Sequence, residues 1–352
     1  MDEHATQHRG KRVFGKDKHR DAVRSSHSQT VWLWGHKWVV LAICVQLPFA
    51  SRPWVLPVLC ALYRSPQLDK AAGQRHKTPL QLARGLTAIL GRWFPERRWV
   101  LLGDGGLSSH QMARFGHRHG RWATVVGKLS PQANLYRAPP ARQPGQTGRP
   151  RLKGDKLPSP QQWLARTEPN EVTVAWYGGA RRRVALVSGT GHWYRSGQGL
   201  VPLRWVQVRD LEGTHRQECF FSTDLSLPPS QIVSAYTARW AIEVTFHQAR
   251  AHLGLATPRN RTPASVLRTT PCLFGLFSVV ALMFAQLYRK HPTPARAGPG
   301  YAKPEPTFVD ALAAVRRELW SGFLKPPALP RPWQNPPPPV LDTLLDRLCY
   351  AA

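Results

Sequence analysis

The chain has 352 residues, and its 49 lysines and arginines outnumber 20 aspartates and glutamates, which gives a formal net charge of +29. This excess implies a polyanionic partner whose affinity falls steeply with salt, but it does not establish catalysis, because ribosomal and architectural proteins are equally basic. The five cysteines form no C-x-x-C pair and no Cys/His ligand spacing, which argues against a disulfide framework and a zinc site.

The N-terminal part of the chain lacks the pattern of an exported or membrane protein. Residues 1–26 are charged and contain no apolar signal segment, so we expect a reduced, cytoplasmic protein. The apolar stretch Trp38–Tyr63 is interrupted by three prolines and an arginine and cannot cross a bilayer as one helix. It predicts a strand over Trp38–Leu47, then a turn and a short buried helix.

Helical and extended patterns alternate in the next part of the chain. Lys77–Phe94 has the apolar spacing of a helix, and the short apolar run Trp99–Leu102 indicates a buried strand. A second helix is predicted over Ser109–His119 and a second strand over Trp122–Lys128. This alternation is typical of an α/β core.

Asp104 follows the first of these strands and precedes Gly105 and Gly106. The carboxyl end of a central strand is the usual place for a site in an α/β sheet, and the glycines leave room for a phosphate or a metal ion. The alternative is an aspartate in an ordinary Asp-Gly turn.

The middle of the chain changes from a loop to a β-rich region. Residues 138–162 are rich in Pro, Gly, Arg and Lys, which indicates a long loop or linker. Four short β-like runs follow, at Glu171–Tyr177, Arg181–Ser188, Leu203–Asp210 and Glu218–Ser222. They predict either a small antiparallel sheet or strands that complete the main sheet.

The segment Pro229–Leu255 predicts one helix that carries Tyr236, Arg239, Glu243 and Arg250 at offsets of 0, 3, 7 and 14. On a regular helix these offsets fall within about 60° of one another, so one carboxylate shares a stripe with a phenol and two guanidiniums. Such a stripe suits a site where an anion and a metal ion meet. The alternative is the solvated face of an amphipathic core helix.

The C-terminal third is predicted to contain three further helices. The run Cys272–Leu287 is apolar but only about 16 residues long, which is short for a membrane span, so we expect a buried helix and no membrane partner. A Pro-rich tail follows at residues 291–339, with a helix at Phe308–Leu324. A short amphipathic helix at Val340–Tyr350 would dock on the core or on a second copy of the chain.

The spacing Y-x2-R-x3-E-x6-[K/R], together with an apolar strand that ends in Asp, resembles the signature of insertion-sequence transposases of the DDE class. The chain departs from it at Arg250, where the family usually has Lys, and a planar guanidinium does not replace an ammonium at a tight contact. The resemblance extends from Asp2 to about Phe284. It implies a ribonuclease-H-like α/β fold, a mixed sheet flanked by helices, with a β-rich insertion between Asp104 and the Glu243 helix.

The resemblance also implies the site. Asp2, Asp104 and Glu243 would be the three catalytic acids that bind two Mg²⁺ or Mn²⁺ ions, with Glu3 and Asp21 as competitors for the first position. Two such ions can assist both the attacking and the leaving oxygen of a phosphodiester. The expected DNA contacts are Tyr236, Arg239 and Arg250. Because Asp2 would end the first strand, we expect a chain that is truncated at its N-terminus.

The implied organisation has four segments, namely the first part of the catalytic core at 1–137, a linker and β-rich insertion at 138–226, catalytic core helices at 227–290 and a tail at 291–352. The implied function is metal-dependent cleavage at the ends of an insertion element and strand transfer into target double-stranded DNA, with a homodimer as a candidate assembly. Two alternatives stay open: an inactive remnant that only binds DNA, and an unrelated basic nucleic-acid-binding protein whose three acids lie far apart.

Overall fold

The computed structural model describes the chain apart from residues 22, 23, 27, 143, 146, 294, 297–301, 325–338 and 351–352, and the side chains of 322–324 and 339–342. The described chain forms two compact units. The first comprises Met1–Ala5, Gly15–Leu41 and Leu59–Trp240, and the second comprises Thr6–Phe14, Ala42–Val58 and Ala241–Ala352. The predicted four-segment organisation is a functional division and stays a prediction beside this one.

The strands are β1 Asp2–Gln7, β2 Asp17–Arg20, β3 Trp32–Val45, β4 Trp54–Tyr63, β5 Trp99–Leu102, β6 Ala123–Leu129, β7 Leu135–Tyr136, β8 Asn170–Ala175, β9 Arg181–Arg195, β10 Gly199–Asp210 and β11 Glu218–Ser222. The helices are α1 Pro66–Ala71, α2 Pro79–Trp93, α3 His110–Arg118, α4 Pro160–Arg166, α5 Pro229–Ala238, α6 Ala241–Leu253, α7 Pro263–Lys290, α8 Phe308–Leu324 and α9 Pro339–Tyr350. The predicted helices and strands between residues 77 and 128 are confirmed within two residues at each end.

A seven-stranded mixed sheet forms the centre of the first unit, in the order β5-β6-β11-β10-β9-β7, with β8 also paired to β9. β5 and β6 are parallel, whereas β11 pairs antiparallel with β6. The predicted fold class, a mixed sheet flanked by helices with a β-rich stretch between Asp104 and Glu243, is confirmed. Of the two arrangements predicted for the β-like runs, the second is found, because the β6–β11 pairing makes them part of the main sheet.

Both faces of this sheet are covered. Alternate side chains of a strand point to opposite faces, so Val125 and Phe221 pack with α2 and α3 on one side, while neighbouring Val126 and Phe220 pack with α5 on the other. Helix α2 begins with a capping box at Thr78, which satisfies its first backbone donors. The sheet is therefore packed between helices on both faces, and this packing holds the side chains at the ends of its strands in place.

Two predictions for the N-terminal third are wrong. Residues Asp2–Gln7 form strand β1, so Asp2 begins this strand and does not end it. The predicted short helix after Trp38–Leu47 is strand β4, which pairs with β3 in a four-stranded sheet of order β1-β3-β2. β4 accommodates Pro57 because, among the described residues, it pairs only with β3 and is an edge strand.

The second unit is built mainly from α6 to α9. Aromatic rings from its helices and from residues 42–58 pack together, with Phe277 stacked on Phe308 at a centroid distance of 4.3 Å and Phe49 against Phe284 at 4.6 Å. The hydroxyl of Thr245 donates to Val55 O and that of Ser278 to Pro57 O. The predicted helices at Phe308–Leu324 and Val340–Tyr350 are confirmed, and residues 325–338 of the predicted Pro-rich tail lie outside the described residues.

Helix α7 is longer than its apolar sequence indicated. It extends over 28 residues, and by length and composition alone it is the one described helix that could cross a membrane, with 44% of its most apolar window buried. The length argument against a membrane span is therefore wrong. Its buried side chains, including Phe274 and Phe277, nevertheless pack within the second unit, as the core helix of a folded unit does.

Candidate active site

The backbone on either side of Asp104 fixes this residue at the end of β5. Gly103 has no room for a side chain, since a Cβ there would lie 2.9 Å from Leu107 Cβ, and Gly105 has a φ of +46° that favours glycine. Asp104 Oδ1 accepts the backbone N–H of Gly105 at 2.8 Å at the start of a 3₁₀ turn. The open space at Gly105 and Gly106 agrees with the room that the sequence indicated there.

Strand β1 brings Asp2 to the same place. The amino group of Met1 donates to Leu102 O at 2.8 Å, which aligns the start of β1 with the end of β5. Glu3 forms an ion pair with Lys37, and Asp21 accepts the backbone N–H of Arg24, so neither competitor is engaged at Asp104. Of the three acids considered for the first position, Asp2 is the one that meets Asp104.

The C-terminal end of α5 provides the groups that join the two acids. Tyr236 is 1% exposed, its ring lies 4.5 Å from that of Phe220, and its hydroxyl donates to Asp104 Oδ1 at 2.8 Å. The Arg239 guanidinium donates to Asp2 Oδ2 at 2.6 Å and to Asp104 Oδ2 at 3.1 Å. Two residues predicted to contact DNA therefore contact the predicted catalytic acids.

The resulting cluster holds two carboxylates against one guanidinium. The Arg239 side chain is 7% exposed and that of Asp2 is 15% exposed, whereas Asp104 is 45% exposed. The cluster is thus buried at Arg239 and Asp2 and opens to solvent at Asp104. Oxygens that converge on one cation are suitable ligands for a hard divalent ion, so the residues present fit Mg²⁺ or Mn²⁺.

The two acids have opposite pKa shifts. Burial raises the pKa of Asp2 above its usual value, and the nearby Arg239 charge offsets this only in part. Burial also acts to raise the pKa of Asp104, but Arg239, the Tyr236 hydroxyl and the Gly105 N–H together outweigh it and lower that pKa. Asp104 is therefore the more acidic member of the pair.

The structure shows a second polar group near Asp104 that the sequence did not reveal. Tyr177 donates to Glu218 Oε2 at 2.9 Å, and Lys128 forms an ion pair with Glu218 Oε1 at 2.5 Å. The positive charge of Lys128 contributes to the low pKa of Asp104, and the negative charges of Glu218 and Asp104 add to burial in raising the pKa of Tyr177. The only sequence signal was the position of Lys128 near the end of β6, beside β5.

The prediction of one helix over Pro229–Leu255 is wrong, because this segment forms two helices. α5 ends at Ala238 and α6 begins at Ala241, with Arg239 and Trp240 in a turn closed by bonds from their backbone N–H groups to Tyr236 O and Thr237 O. The angular argument that placed four side chains on one stripe therefore does not apply. What brings Tyr236 and Arg239 to Asp104 is the packing of α5 against the sheet.

Glu243 and Arg250 lie on α6 in the second unit, and both side chains are exposed. Within the described residues, no group of three or more His, Cys, Asp or Glu side chains is arranged to hold a metal ion. Asp2 and Asp104 thus meet within the first unit, and the role of Glu243 as the third metal ligand stays a prediction. The same holds for the contact of Arg250 with DNA.

Comparisons with known proteins identify the family of the chain. Comparison with proteins of curated function found no match. Among solved structures, the chain is similar to one described as a piggyBac transposase synaptic complex with hairpin DNA, with 13% identity and a TM-score of 0.41 over 94% of this chain. The chain spans 54% of that protein's length. The sequence profile described as "DDE superfamily endonuclease" matches residues 1–183, which include Asp2 and Asp104. The chain belongs to this DDE superfamily endonuclease family.

Proposed function

We propose that this chain is a transposase of the insertion-sequence type, which cleaves DNA at the ends of its element and transfers the 3′ end into target DNA. The observation that supports this most is the convergence of Asp2 and Asp104 on one cation, the Arg239 guanidinium. The net charge of +29 suits a double-stranded DNA substrate. We place the reaction in the cytoplasm, with a second copy of the chain as a candidate partner.

Each chemical step exchanges one phosphorus–oxygen bond for another. In cleavage, a water oxygen attacks the phosphorus, the 3′ oxygen leaves and takes up a proton, and a 3′-hydroxyl and a 5′-phosphate remain. In transfer, that 3′-hydroxyl loses its proton and attacks a target phosphodiester, whose own 3′ oxygen leaves. A bound pair of Mg²⁺ or Mn²⁺ ions stabilises the negative charge on the attacking and leaving oxygens.

The side chains of this protein would hold and orient the reacting groups. Asp2 and Asp104 would hold the metal ions, with Glu243 as the third ligand. Tyr236 keeps the Asp104 carboxylate oriented through its 2.8 Å hydrogen bond. Arg239, which donates one nitrogen to each carboxylate, would orient the two acids and contact a DNA phosphate. Arg250 would contact a second phosphate.

The test is a nicking assay on supercoiled plasmid that carries the DNA flanking the coding region, with Mg²⁺ or Mn²⁺. Wild type is compared with Asp104→Asn and Glu243→Gln, which keep the side-chain shapes but remove the charges. A matched control is Asp155→Asn, since the Asp155 side chain is 79% exposed and lies outside the cluster. We expect nicking by wild type and the control, and loss in both test variants.

Three other outcomes would be decisive. Nicking by Asp104→Asn at the wild-type rate would exclude the proposed site. Binding of the DNA by wild type without nicking under any metal condition would identify the DNA-binding remnant as the correct alternative. Loss in Asp104→Asn with full activity in Glu243→Gln would keep the carboxylate pair and remove Glu243 as the third ligand.

A further inference from the structure

The hairpin of β2 and β3 carries two exposed tryptophans that no part of the proposed reaction uses. Trp32 and Trp34 are 52% and 53% exposed. Aromatic side chains of this size are normally buried, and a pair of them on a surface indicates a binding site. Both lie in the first unit.

The strand geometry puts both rings on one face. Residues two apart on a strand point the same way, and their neighbour His19, paired with Leu33, is buried on the other side. Asp17 also points away from the rings, because its carboxylate accepts the Ser65 hydroxyl. The exposed face of this ribbon thus combines tryptophans with cations.

Lysines lie over both rings. Lys16 Nζ is 5.5 Å from the centre of the Trp34 ring, and Lys18 Nζ is 5.1 Å from that of Trp32. Arg20 is paired across the strands with Trp32 and is exposed. Flat apolar surfaces next to positive charges suit a ligand that is itself planar and carries a phosphate at each step.

The spacing of the rings decides which form of nucleic acid fits. Residues i and i+2 of a strand are about 7 Å apart. Stacked bases follow each other at about 3.4 Å along one strand of a duplex, and their faces are hidden within the stack. Two rings at about twice that step can accept successive bases only when these have left the stack.

We propose that Trp32 and Trp34 form a stacking platform for unpaired nucleotides, with Lys16 and Lys18 next to their phosphates. The platform goes beyond the proposed function, because binding of unpaired DNA requires no cleavage. It would hold a strand that is opened at a DNA end or at a target site.

The test measures binding of fluorescein-labelled dT12 and of a blunt 12-base-pair duplex by anisotropy at fixed salt. In Trp32→Leu/Trp34→Leu, which keeps apolar side chains, we expect the affinity for dT12 to fall at least about 30-fold and that for the duplex to change less than about twofold. Trp32→Phe/Trp34→Phe retains the rings and should retain most of the dT12 affinity. The control is Trp93→Leu, a tryptophan on α2 in the same unit that is 57% exposed.

Three results would overturn the platform. In the first, the double Leu variant binds dT12 as tightly as wild type does. In the second, its affinities for dT12 and for the duplex fall equally. In the third, the double Leu variant loses only the binding of anionic phospholipid vesicles. Melting temperatures within error of wild type confirm that the variants are folded. Because dT12 binding is measured without cleavage, failure of the platform and failure of the cleavage site are distinguishable.

Discussion

Two arginine–aspartate contacts in the first unit look alike but differ in how completely the aspartates are hydrogen-bonded and buried. Arg182 donates from Nε and Nη2 to the two oxygens of Asp210 at 2.7 and 2.9 Å, and backbone N–H groups of Glu212, Thr214 and His215 complete the carboxylate. The Asp210 side chain is 1% exposed. Arg182 also pairs with Oε2 of the exposed Glu212 at 3.3 Å, but the Asp210 carboxylate is buried and fully hydrogen-bonded, so it has no capacity left for a metal ion.

Arg239 donates to two aspartates, neither of which is as completely hydrogen-bonded as Asp210. Each acid receives one of its nitrogens, and Asp104 is partly open to solvent. A carboxylate pair of this kind has unused acceptor capacity, which suits a divalent cation. The comparison supports a structural role for the Arg182 contact, and in the proposed site the Arg239 contact lies where a metal ion would bind.

The largest expected effect is on cleavage. Asp104→Asn should lower the nicking rate at least about 100-fold, because loss of even an outer partner of a metal ligand costs about 10- to 100-fold. The measurement is the single-turnover rate with Mg²⁺, compared with Asp155→Asn. If Asp104→Asn kept more than about a tenth of the wild-type rate, Asp104 would not be a metal ligand.

The comparison can be broken through stability and metal dependence. Arg239→Ala leaves two carboxylates without their shared cation, so in EDTA we expect the free energy of unfolding to fall by about 2 kcal/mol, less than for a fully buried pair because Asp104 is part-exposed. Added Mg²⁺ or Mn²⁺ should restore most of this loss. Urea denaturation with and without metal measures both quantities.

The matched variant is Arg182→Ala. It should also lower the free energy of unfolding, because Asp210 loses its cation, but metal should not restore it. Recovery of both variants by Mg²⁺, or of neither, would show that the bonding and burial of the aspartates do not distinguish the two contacts.

The pH dependence of metal binding should follow Asp2. Because its pKa is raised above the usual value of 3.8, Asp2 takes up a proton at a higher pH than an ordinary aspartate, and a protonated carboxyl holds a cation poorly. Mn²⁺ affinity should weaken by up to about tenfold per pH unit as pH falls through this pKa, and should be constant above it. Isothermal titration calorimetry at several pH values measures the Mn²⁺ affinity. If the pH profile of Asp2→Asn were the same as that of wild type, Asp2 would not be the group that causes the pH dependence.

The smallest effect is expected for Tyr236→Phe, which keeps the ring packing against Phe220 and removes the hydroxyl. Hydrogen bonds to charged groups contribute about 1.5–3 kcal/mol when buried, and the exposure of Asp104 reduces this to about 1 kcal/mol. Because Asp104 has a lowered pKa, its stabilisation is present above pH 4 and is lost as pH falls through the lowered value. The wild type and the variant should therefore converge in stability at low pH.

Local patterns in the sequence predicted local structure well. The strand before Asp104 and the helices on either side of it have clear apolar periodicity, and the Gly105–Gly106 pair marks the strand end, so this edge of the site could be placed from the sequence. β4 was mistaken for a helix because its apolar residues have no strict alternation and Pro57 disfavours a central strand.

These local patterns could not predict contacts between residues that are far apart in the sequence. Asp2 and Arg239 are 237 positions apart, and nothing in their neighbourhoods indicates that they pair. The break between α5 and α6 contains neither Pro nor Gly, so helix propensity did not predict it. Its cause lies in tertiary packing, because the Thr237 hydroxyl donates to Ala175 O in β8 and Arg239 is drawn to two carboxylates.

The most direct test of the central claim is Mn²⁺ binding measured by electron paramagnetic resonance on wild type, Asp2→Asn, Asp104→Asn and Arg239→Ala. If Asp2 and Asp104 form a metal site with Arg239 in its place, both Asn variants should lose Mn²⁺ binding. The Arg239→Ala variant should bind Mn²⁺ more tightly than wild type. Unchanged Mn²⁺ binding in both Asn variants would contradict the account.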